Sequence, residues 1–294
     1  MSLQQYEIFD EIARQSNFAR AAEQLNMSPS AVSHSVAALE RELGFPLFFR
    51  SRTRVQLTKE GASMLEYVRD ILQRERAMRQ HAAKIKGLEG GSVTIGTFSS
   101  VCLYWIPDIV SSFRQIHPNI IVNILQGDYS DVLGWVRDGT VDIGFETLPT
   151  DEKLKETPLH KDRLLCAAPA DYVPANGKTV TASDMESMPF IIQRSGYEED
   201  TMKFIRKHRL KINAEHRVDD DGAIIAFVEK GLGISLVPEL ILNNTSANVK
   251  TYPTEPEEKR LIGLITQTKV DLSPAAQAMH EFIVEFIKEQ GLYI

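Results

Sequence analysis

Two short helical patterns separated by a break constrain the fold of this chain most. The run FARAAEQLN places the small residues Ala21 and Ala22 where another helix can cross closely, and a break follows at 26–27. Ser28 then suits a helix N-cap and Pro29 suits a first helical position, so a second helix is predicted to begin at once. Two helices joined by so short a turn predict a helix-turn-helix.

The helix predicted from Pro29 to Leu43 has two contrasting faces. One narrow stripe is apolar and is predicted to be buried: Val32, Val36, Leu39 and Leu43. The opposite face is mostly polar and carries Ser30, Ser33, His34, Ala37 and Arg41. Such a face can enter a major groove and offer hydroxyl and imidazole groups to base edges. A solvated surface is the simpler interpretation for an isolated helix, but the turn before it and the segment after it favour DNA.

That following segment, FFRSRTRVQLT, has arginine at every second position. In an extended conformation Arg50, Arg52 and Arg54 share one side of the ribbon. Three guanidiniums beside a recognition helix predict a phosphate clamp or a wing that enters the minor groove.

The charge distribution agrees with an N-terminal region that approaches phosphates. Residues 1–90 carry 13 Lys and Arg against 11 Asp and Glu, a net charge of +2. Residues 91–294 carry 20 against 29, a net charge of −9. The acidic C-terminal region is therefore predicted not to bind nucleic acid.

A long helical pattern follows Thr58 and runs without proline to Gly87. Its apolar positions recur at alternating spacings of four and three, with one Glu among them: Met64, Val68, Ile71, Glu75, Met78, Ala82 and Ile85. The helix either lies on its own domain or pairs with a second copy. Arginines on the remaining surface favour pairing, so a dimer that presents two reading heads to two half-sites is expected.

Beyond GLEGGS at 87–92 the pattern changes to short β-like runs interleaved with helices. SVTIGTF, IIVNILQG, VDIGFE, RLLCAAP and RLIGLIT read as strands, and WIPDIVSSFRQIH reads as a helix. This alternation predicts α/β layering with a largely parallel sheet, in which a small ligand lies beyond the carboxyl ends of the strands.

These residues resemble one family. The run SNFARAAEQLNMSPSAVSHSVAALERELGFPLFFRSRTRVQLTKEG is similar to the winged helix-turn-helix of LysR-type transcriptional regulators, and the likeness continues through IPDIVSSFRQIHPNIIVNILQGD, GTVDIGF and VEKGLGISLVP. The resemblance implies an all-α winged helix-turn-helix DNA-binding domain at 1–58 and a linker and dimerisation helix at 59–89. It then implies an α/β effector domain at 90–294 that resembles type 2 periplasmic solute-binding proteins. Its two subdomains are expected at 92–161 plus 268–294 and at 162–267, with the effector between them.

The resemblance also implies site residues. The DNA contacts are Ser28, Pro29, Ser30, Ser33, His34, Arg50 and Arg54, beside Arg52 from the alternating arginines. The dimerisation residues are Met64, Val68, Ile71, Met78, Ala82 and Ile85. The effector residues are Thr97, Phe98, Ser99, Ser100, Asp128, Glu146, Gln193 and Arg194. An anionic effector could use Arg194, an amine could use Asp128 or Glu146, or the two carboxylates simply neutralise the arginine. Asp219, Asp220 and Asp221 either lie near the point where the chain crosses between the two subdomains or form a solvated turn.

The implied protein is a cytoplasmic, sequence-specific regulator whose DNA contacts respond to a small-molecule effector. Its expected partners are double-stranded promoter DNA, the effector, other copies in a homodimer or homotetramer, and RNA polymerase, with no membrane. An enzyme is disfavoured, because no phosphate loop, Gly-x-Ser-x-Gly or dinucleotide fingerprint occurs. Scattered histidines and two cysteines predict no metal site, disulfide framework or cofactor. A solute-binding module without DNA function is the remaining alternative, and salt-dependent DNA affinity would separate the two.

Overall fold

The structure, a computed structural model, describes residues 1–50, 55–85, 90–193, 199–218, 220–268 and 270–292. The chain divides into two compact units. The first six elements make up most of the first unit, and the elements that follow them make up the second. The two units are described separately below.

The first unit contains the predicted helix-turn-helix and a short hairpin. Its elements are α1 (Leu3–Gln15), α2 (Phe18–Gln24), α3 (Pro29–Leu43), β1 (Phe48–Arg50), β2 (Val55–Leu57) and α4 (Lys59–Ile85). Asn17 caps α2 by accepting from the backbone N–H groups of Ala19 and Arg20. Ser28 caps α3 by accepting from Ala31 N, and Pro29 occupies the first helical position as the sequence predicts. Asn26, with φ of 52°, turns the chain between the two helices.

The core of the first unit lies where the apolar faces of α1, α2, α3 and α4 meet. The buried stripe of α3 consists of Val32, Val36 and Leu39, as predicted, while Leu43 is half-buried at its end. Phe48 of the hairpin packs edge-on against Phe9. The core also holds three residues from the first half of α4: Leu65, Val68 and Leu72.

A buried carboxylate ties α4 to α1. Asp10 is almost fully buried, and its Oδ1 accepts from Arg69 Nε at 2.7 Å while its Oδ2 accepts from Arg14 Nη2 at 2.7 Å. Burial alone would raise the pKa of Asp10, but the two guanidiniums lower it below its ordinary value. The carboxylate therefore stays ionised and, through Arg69, holds the first half of α4 on the helical core.

The second unit alternates strands and helices, as the interleaved sequence pattern predicts. Its elements are β3 (Gly91–Thr97), α5 (Ser99–Tyr104), α6 (Ile106–Ile116), β4 (Ile120–Gln126), α7 (Tyr129–Arg137), β5 (Ile143–Leu148), β6 (Leu154–Pro169), β7 (Val180–Thr181), α8 (Ala182–Ser187), β8 (Pro189–Gln193), α9 (Glu199–His208), β9 (Asn213–Val218), α10 (Asp221–Glu229), β10 (Ser235–Pro238), α11 (Glu239–Leu242), β11 (Val249–Gln267) and α12 (Pro274–Glu289).

Two long antiparallel strands, β6 and β11, pass through both halves of this unit. The strand order is β10-β6-β11-β5-β3-β4, and β8 and β9 form a separate parallel pair. Strands β3, β4 and β5 are parallel to one another, whereas β11 is antiparallel to both β5 and β6. The sheet is thus mixed rather than largely parallel as predicted: β3 to β5 and the short β7–β11 pair are parallel, whereas the long strands pair antiparallel. We call β3–β5, α5–α7 and α12 the first lobe, and β7–β10 with α8–α11 the second lobe.

The described ranges contain no helix that combines the length and the apolar character needed to span a bilayer. The two cysteines are unpaired, Cys102 half-buried and Cys166 buried. Burial raises the pKa of the Cys166 thiol to about 12, so this residue serves as a small apolar side chain of the core.

Gly61 in the first turn of α4 provides a test of how tightly the first unit is packed. A Cβ at Gly61 would overlap the backbone carbonyl of Leu47, which also accepts from Thr58 N. We expect Gly61→Ala to lower the free energy of unfolding by about 1–3 kcal/mol, because backbone must move.

Gly134 is the matched control, since a Cβ there meets nothing closer than 3.8 Å. Gly134→Ala, also within a helix, is expected to raise the stability by about 0.5–1 kcal/mol. Denaturant unfolding of both variants measures the difference. Equal stability of Gly61→Ala and the wild type would contradict the close packing.

Candidate DNA interface and effector cavity

The polar face of α3 lies on the surface of the first unit. Ser28, Pro29, Ser30 and His34 are exposed, and Ser33 is half-buried beside them. The Ser28 and Ser30 hydroxyls lie 3.0 Å apart. Because Val32, Val36 and Leu39 hold the other side of the helix in the core, these polar groups face outward from a fixed scaffold.

The hairpin is anchored to the same helix. Glu40 of α3 accepts from Leu47 N at 2.8 Å and from Phe48 N at 3.3 Å, just where β1 begins. Arg50 ends β1, with its backbone opposite Val55. The side chain of Arg50 and the whole of Arg52 and Arg54 lie outside the described residues.

The predicted dimerisation residues divide into two groups along α4. Val68 and Met64 pack against the core of their own unit, because the first half of α4 covers α1. Elsewhere on the helix, large apolar side chains are exposed: Met78 by 64%, Ile85 by 75%, Ile71 by 41% and Tyr67 by 62%. Ala82 is exposed as well. The surface left for a second copy is therefore shorter than the full predicted seam.

A small cavity opens between the two lobes of the second unit, with a volume of about 40 Å³. The first lobe contributes the turn after β3 and the start of α7, the second lobe contributes the ends of β8 and β10 and the starts of α9 and α10, and β11 contributes Arg260. The lining residues are Phe98, Ser99, Ser100, Gly127, Asp128, Tyr129, Gln193, Asp200, Thr201, Asp221, Leu236, Pro238 and Arg260.

Arg260 is buried at the edge of this cavity, and protein acceptors engage every N–H of its guanidinium. Its Nε and Nη2 donate to Asp162 Oδ2 at 2.9 and 2.7 Å. The second N–H of Nη2 donates to Ser100 Oγ at 2.9 Å. The two N–H groups of Nη1 donate to Tyr129 Oη at 2.9 Å and Asp200 Oδ2 at 3.4 Å. A guanidinium has five N–H donors, so this one is fully used.

These contacts join both lobes to the long strands. Ser100 and Tyr129 belong to the first lobe, Asp200 belongs to the second, and Asp162 lies directly opposite Arg260 in the β6–β11 pair. Burial disfavours the charge of Arg260, but its anionic surroundings outweigh that cost and raise the pKa of the guanidinium. The Phe98 ring also lies under the guanidinium, 5.2 Å from Cζ to the ring centroid.

Tyr129 bridges the cavity directly. Its hydroxyl donates to Asp200 Oδ2 at 2.6 Å, and its ring packs edge-on against Phe98 at 4.9 Å. Burial raises the pKa of this phenol well above its ordinary value, so the hydroxyl keeps its proton as the donor.

The structure brings most of the sequence-predicted effector residues together at this cavity. Phe98, Ser99, Ser100, Asp128 and Gln193 line it. Asp128 also has a local role, since its Oδ1 accepts from Ser130 Oγ and Asp131 N at the start of α7.

Three predicted effector residues are not among the described residues that line the cavity. Thr97 is fully buried at the end of β3, and Glu146 is buried on β5, where its Oε1 accepts from Thr147 N. Neither is among the residues that line the cavity, and the Thr97 hydroxyl donates to the Phe98 carbonyl at 3.3 Å. Arg194 lies outside the described residues.

Sequence reasoning missed Arg260, Asp162, Tyr129 and Asp200. A signal existed for the first two: Arg260 directly precedes an apolar strand run in KRLIGLIT, and Asp162 lies two residues before one in KDRLLCAAP. Charges at the edge of buried strands need partners, which suggests a pair but not which one. Nothing in the sequence marks Tyr129 or Asp200, since both meet Arg260 only through the fold.

Asp221 is the lining carboxylate with the most altered ionisation. It begins α10 and accepts from the Gln193 amide at 2.8 Å. Loss of hydration raises its pKa to about 6; the charge of Arg260 opposes this rise, and Asp220 and Asp200 add to it. Groups so perturbed within a cavity are typical of binding sites.

A helix-turn-helix unit followed by a two-lobed unit with a central cavity defines a ligand-responsive, DNA-binding transcription regulator, and the comparisons with known proteins agree. Residues 3–62 match the model "Bacterial regulatory helix-turn-helix protein, lysR family", and residues 86–288 match "LysR substrate binding domain". The chain belongs to the LysR family of transcriptional regulators.

Its relatives share nearly the whole length. The uncharacterized HTH-type transcriptional regulator YvbU of Bacillus subtilis is 29% identical over 97% of this chain and 98% of its own. Among solved structures, full-length OxyR from Pseudomonas aeruginosa shares the fold with a TM-score of 0.76, 20% identity and coverage of 98% and 95%. Full-length CbnR in complex with its target DNA has a TM-score of 0.64, 20% identity and coverage of 98% and 100%.

The pKa of Asp221 predicts a stabilising substitution. A folded pKa of about 6, above the ordinary 3.8, means that the folded state holds the proton more tightly than the unfolded state. Stability is therefore lost as pH rises from about 4 through about 6, and at pH 7 the ionised carboxylate is a cost. We expect Asp221→Asn to raise Tm at pH 7 by about 2–4 °C, because the amide needs no ionisation and still accepts from Gln193.

The gain should shrink at pH 5, where wild-type Asp221 is largely protonated. Thermal unfolding at the two pH values measures both effects, and Asp171→Asn, at an exposed site, serves as the charge-matched control. A Tm at pH 7 no higher than that of the wild type would refute this account of Asp221.

Proposed function

We propose that α3 reads operator DNA through the side chains that it exposes, while the hairpin contacts phosphates. In this proposal Ser33 and His34 meet base edges in a major groove, and Ser28, Pro29 and Ser30 bring the first turn of the helix against the DNA. Arg50, Arg52 and Arg54 meet phosphates or the minor groove. The observation that carries the proposal is the outward polar face of α3, held by a buried apolar face and by the bond of Glu40 to the hairpin.

In the proposed function the protein dimerises through α4, and two dimers associate into a tetramer. The support is the exposed apolar surface of the helix from its middle to its C-terminal end, at Ile71, Met78, Ala82 and Ile85. A soluble chain seldom leaves such a row uncovered, and a 27-residue helix extends about 40 Å, enough to pair over several turns. Two copies present two DNA-binding domains to two half-sites.

The cavity between the lobes is the proposed effector site. Phe98, Ser99, Ser100, Asp128 and Gln193 would contact the effector there, with Arg194 beside them, while Thr97 and Glu146 would act through the packing of the first lobe. An effector changes DNA contacts only by binding one arrangement of the lobes more tightly than another. The proposed regulator works in the cytoplasm on promoter DNA, where it alters access or recruitment of RNA polymerase.

The DNA proposal predicts that substitutions on α3 and on the hairpin have different effects. Ser33→Ala and His34→Ala should each weaken binding to the intergenic DNA beside the gene of this protein roughly tenfold, with little change on random DNA, because base contacts specify sequence. Arg50→Ala should weaken binding to both and lower the slope of log affinity against log salt by about 1, because a phosphate contact is lost.

Footprinting and fluorescence anisotropy at two salt concentrations measure these quantities, and Lys178→Ala, an exposed cation in a loop of the second unit, is the matched control. The wild type should protect two half-sites one or more helical turns apart. Equal losses on specific and random DNA for both groups of variants would mean that the roles are assigned wrongly. No protection with folded protein would count against DNA binding at this locus.

A further inference from the structure

The charge of the cavity between the lobes points to the class of its ligand. Among the described residues that line it, the charged side chains are Asp128, Asp200, Asp221 and Arg260. Three carboxylates thus face one guanidinium. A fourth carboxylate, Asp162, already takes two hydrogen bonds from that guanidinium at 2.7 and 2.9 Å.

Arg260 has no N–H left for a ligand anion. Asp162, Ser100, Tyr129 and Asp200 accept from all five of its donors. A ligand carboxylate would have to displace one of these acceptors and would still lie among the carboxylates of the cavity. Like charges that share a partly desolvated site repel one another. Arg260 is therefore a positioning residue of this site.

The carboxylates, in contrast, offer acceptor oxygens. Asp221 accepts one hydrogen bond, from the Gln193 amide, so within the described part of the chain its other oxygen faces no donor. Asp128 uses its Oδ1 for Ser130 Oγ and Asp131 N. An incoming N–H donor with positive charge would fill the remaining acceptor positions and offset the cost that burial places on ionised Asp221.

We infer that this cavity binds an organic cation, with a primary ammonium or guanidinium group seated against Asp221 and Asp128. The inference rests on the proposed effector role of the cavity and specifies the chemistry of its ligand. A metal ion is disfavoured, because the described residues include no group of three or more His, Cys, Asp or Glu side chains placed to hold one.

The size of the cavity sets a further condition. About 40 Å³ holds a group of a few heavy atoms, such as an ammonium on a short chain. A longer ligand requires the Tyr129–Asp200 hydrogen bond to open, since that bond joins the two walls. Occupancy by a cation is then linked to the spacing of the lobes.

Pairs of compounds that match in length and differ in the sign of their charge test this inference. Titration calorimetry on the full chain at pH 7 would compare butylamine with butyrate and butane-1,4-diamine with succinate. We expect the two amines to bind and the two carboxylates not to bind. Asp221→Asn should weaken amine binding at least roughly tenfold, the loss of one charge-assisted hydrogen bond, while Asp171→Asn should leave it unchanged.

Carboxylate binding equal to or tighter than amine binding would overturn the inference. If Arg194→Ala then abolished carboxylate binding, that arginine would be assigned to an anion site. Absence of amine binding, or amine binding that survives Asp221→Asn, would overturn it as well. The same preparations are footprinted on DNA. An intact footprint with failed amine binding removes only the cation inference, whereas a missing footprint with folded protein removes the proposed function.

Discussion

The second unit depends on the burial of one charged side chain, the guanidinium of Arg260. A buried cation is tolerated only when its charge is balanced and its hydrogen bonds are all made, and here five acceptor contacts meet both conditions. Those acceptors come from both lobes and from the opposing long strand. The lobes therefore cannot move apart without exposing or unpairing part of this network. The two lobes consequently prefer a few relative positions rather than a continuous range of them.

This constraint links the small cavity to the proposed regulation. Tyr129 and Asp200 close it from opposite walls, and both also contact Arg260, so whatever enters the cavity competes with or reinforces the same hydrogen bonds. The free energy that an effector can transmit is limited to the difference in its affinity for the closed and open arrangements. The first unit has its own core and its own ion pairs around Asp10, so the exposed polar face of α3 is formed without any contribution from the cavity.

The first unit could be predicted closely from sequence because its determinants are local. Ser28 and Pro29 mark the start of α3, and the 3.6-residue spacing marks its buried stripe. The apolar row of α4 is ambiguous, because a spacing of four and three suits both a partner helix and the helix's own core: Val68 contacts the core and Met78 does not. Periodicity identifies an apolar face but not what covers it.

The cavity could be predicted only in part. The turn after β3 was visible as a strand run followed by Ser99 and Ser100, and the family resemblance placed it at the cleft. Arg260 and Asp162 are 98 positions apart and become neighbours only through the pairing of β6 with β11. No local pattern encodes such a pairing. The boundary predicted between 161 and 162 falls inside β6 for the same reason: a strand that passes through both lobes shows no break in composition.

The central claim is that the Tyr129–Asp200–Arg260 contacts hold the two lobes together, and hydrogen exchange of Tyr129→Phe tests it most directly. This variant removes one hydroxyl and keeps the ring that packs on Phe98. We expect amides of α9, and those of β6 and β11 around Asp162 and Arg260, to exchange about two- to tenfold faster than in the wild type, while exchange in α1, α2 and α3 is unchanged. Unchanged exchange in α9, or faster exchange spread equally over both units, would contradict it.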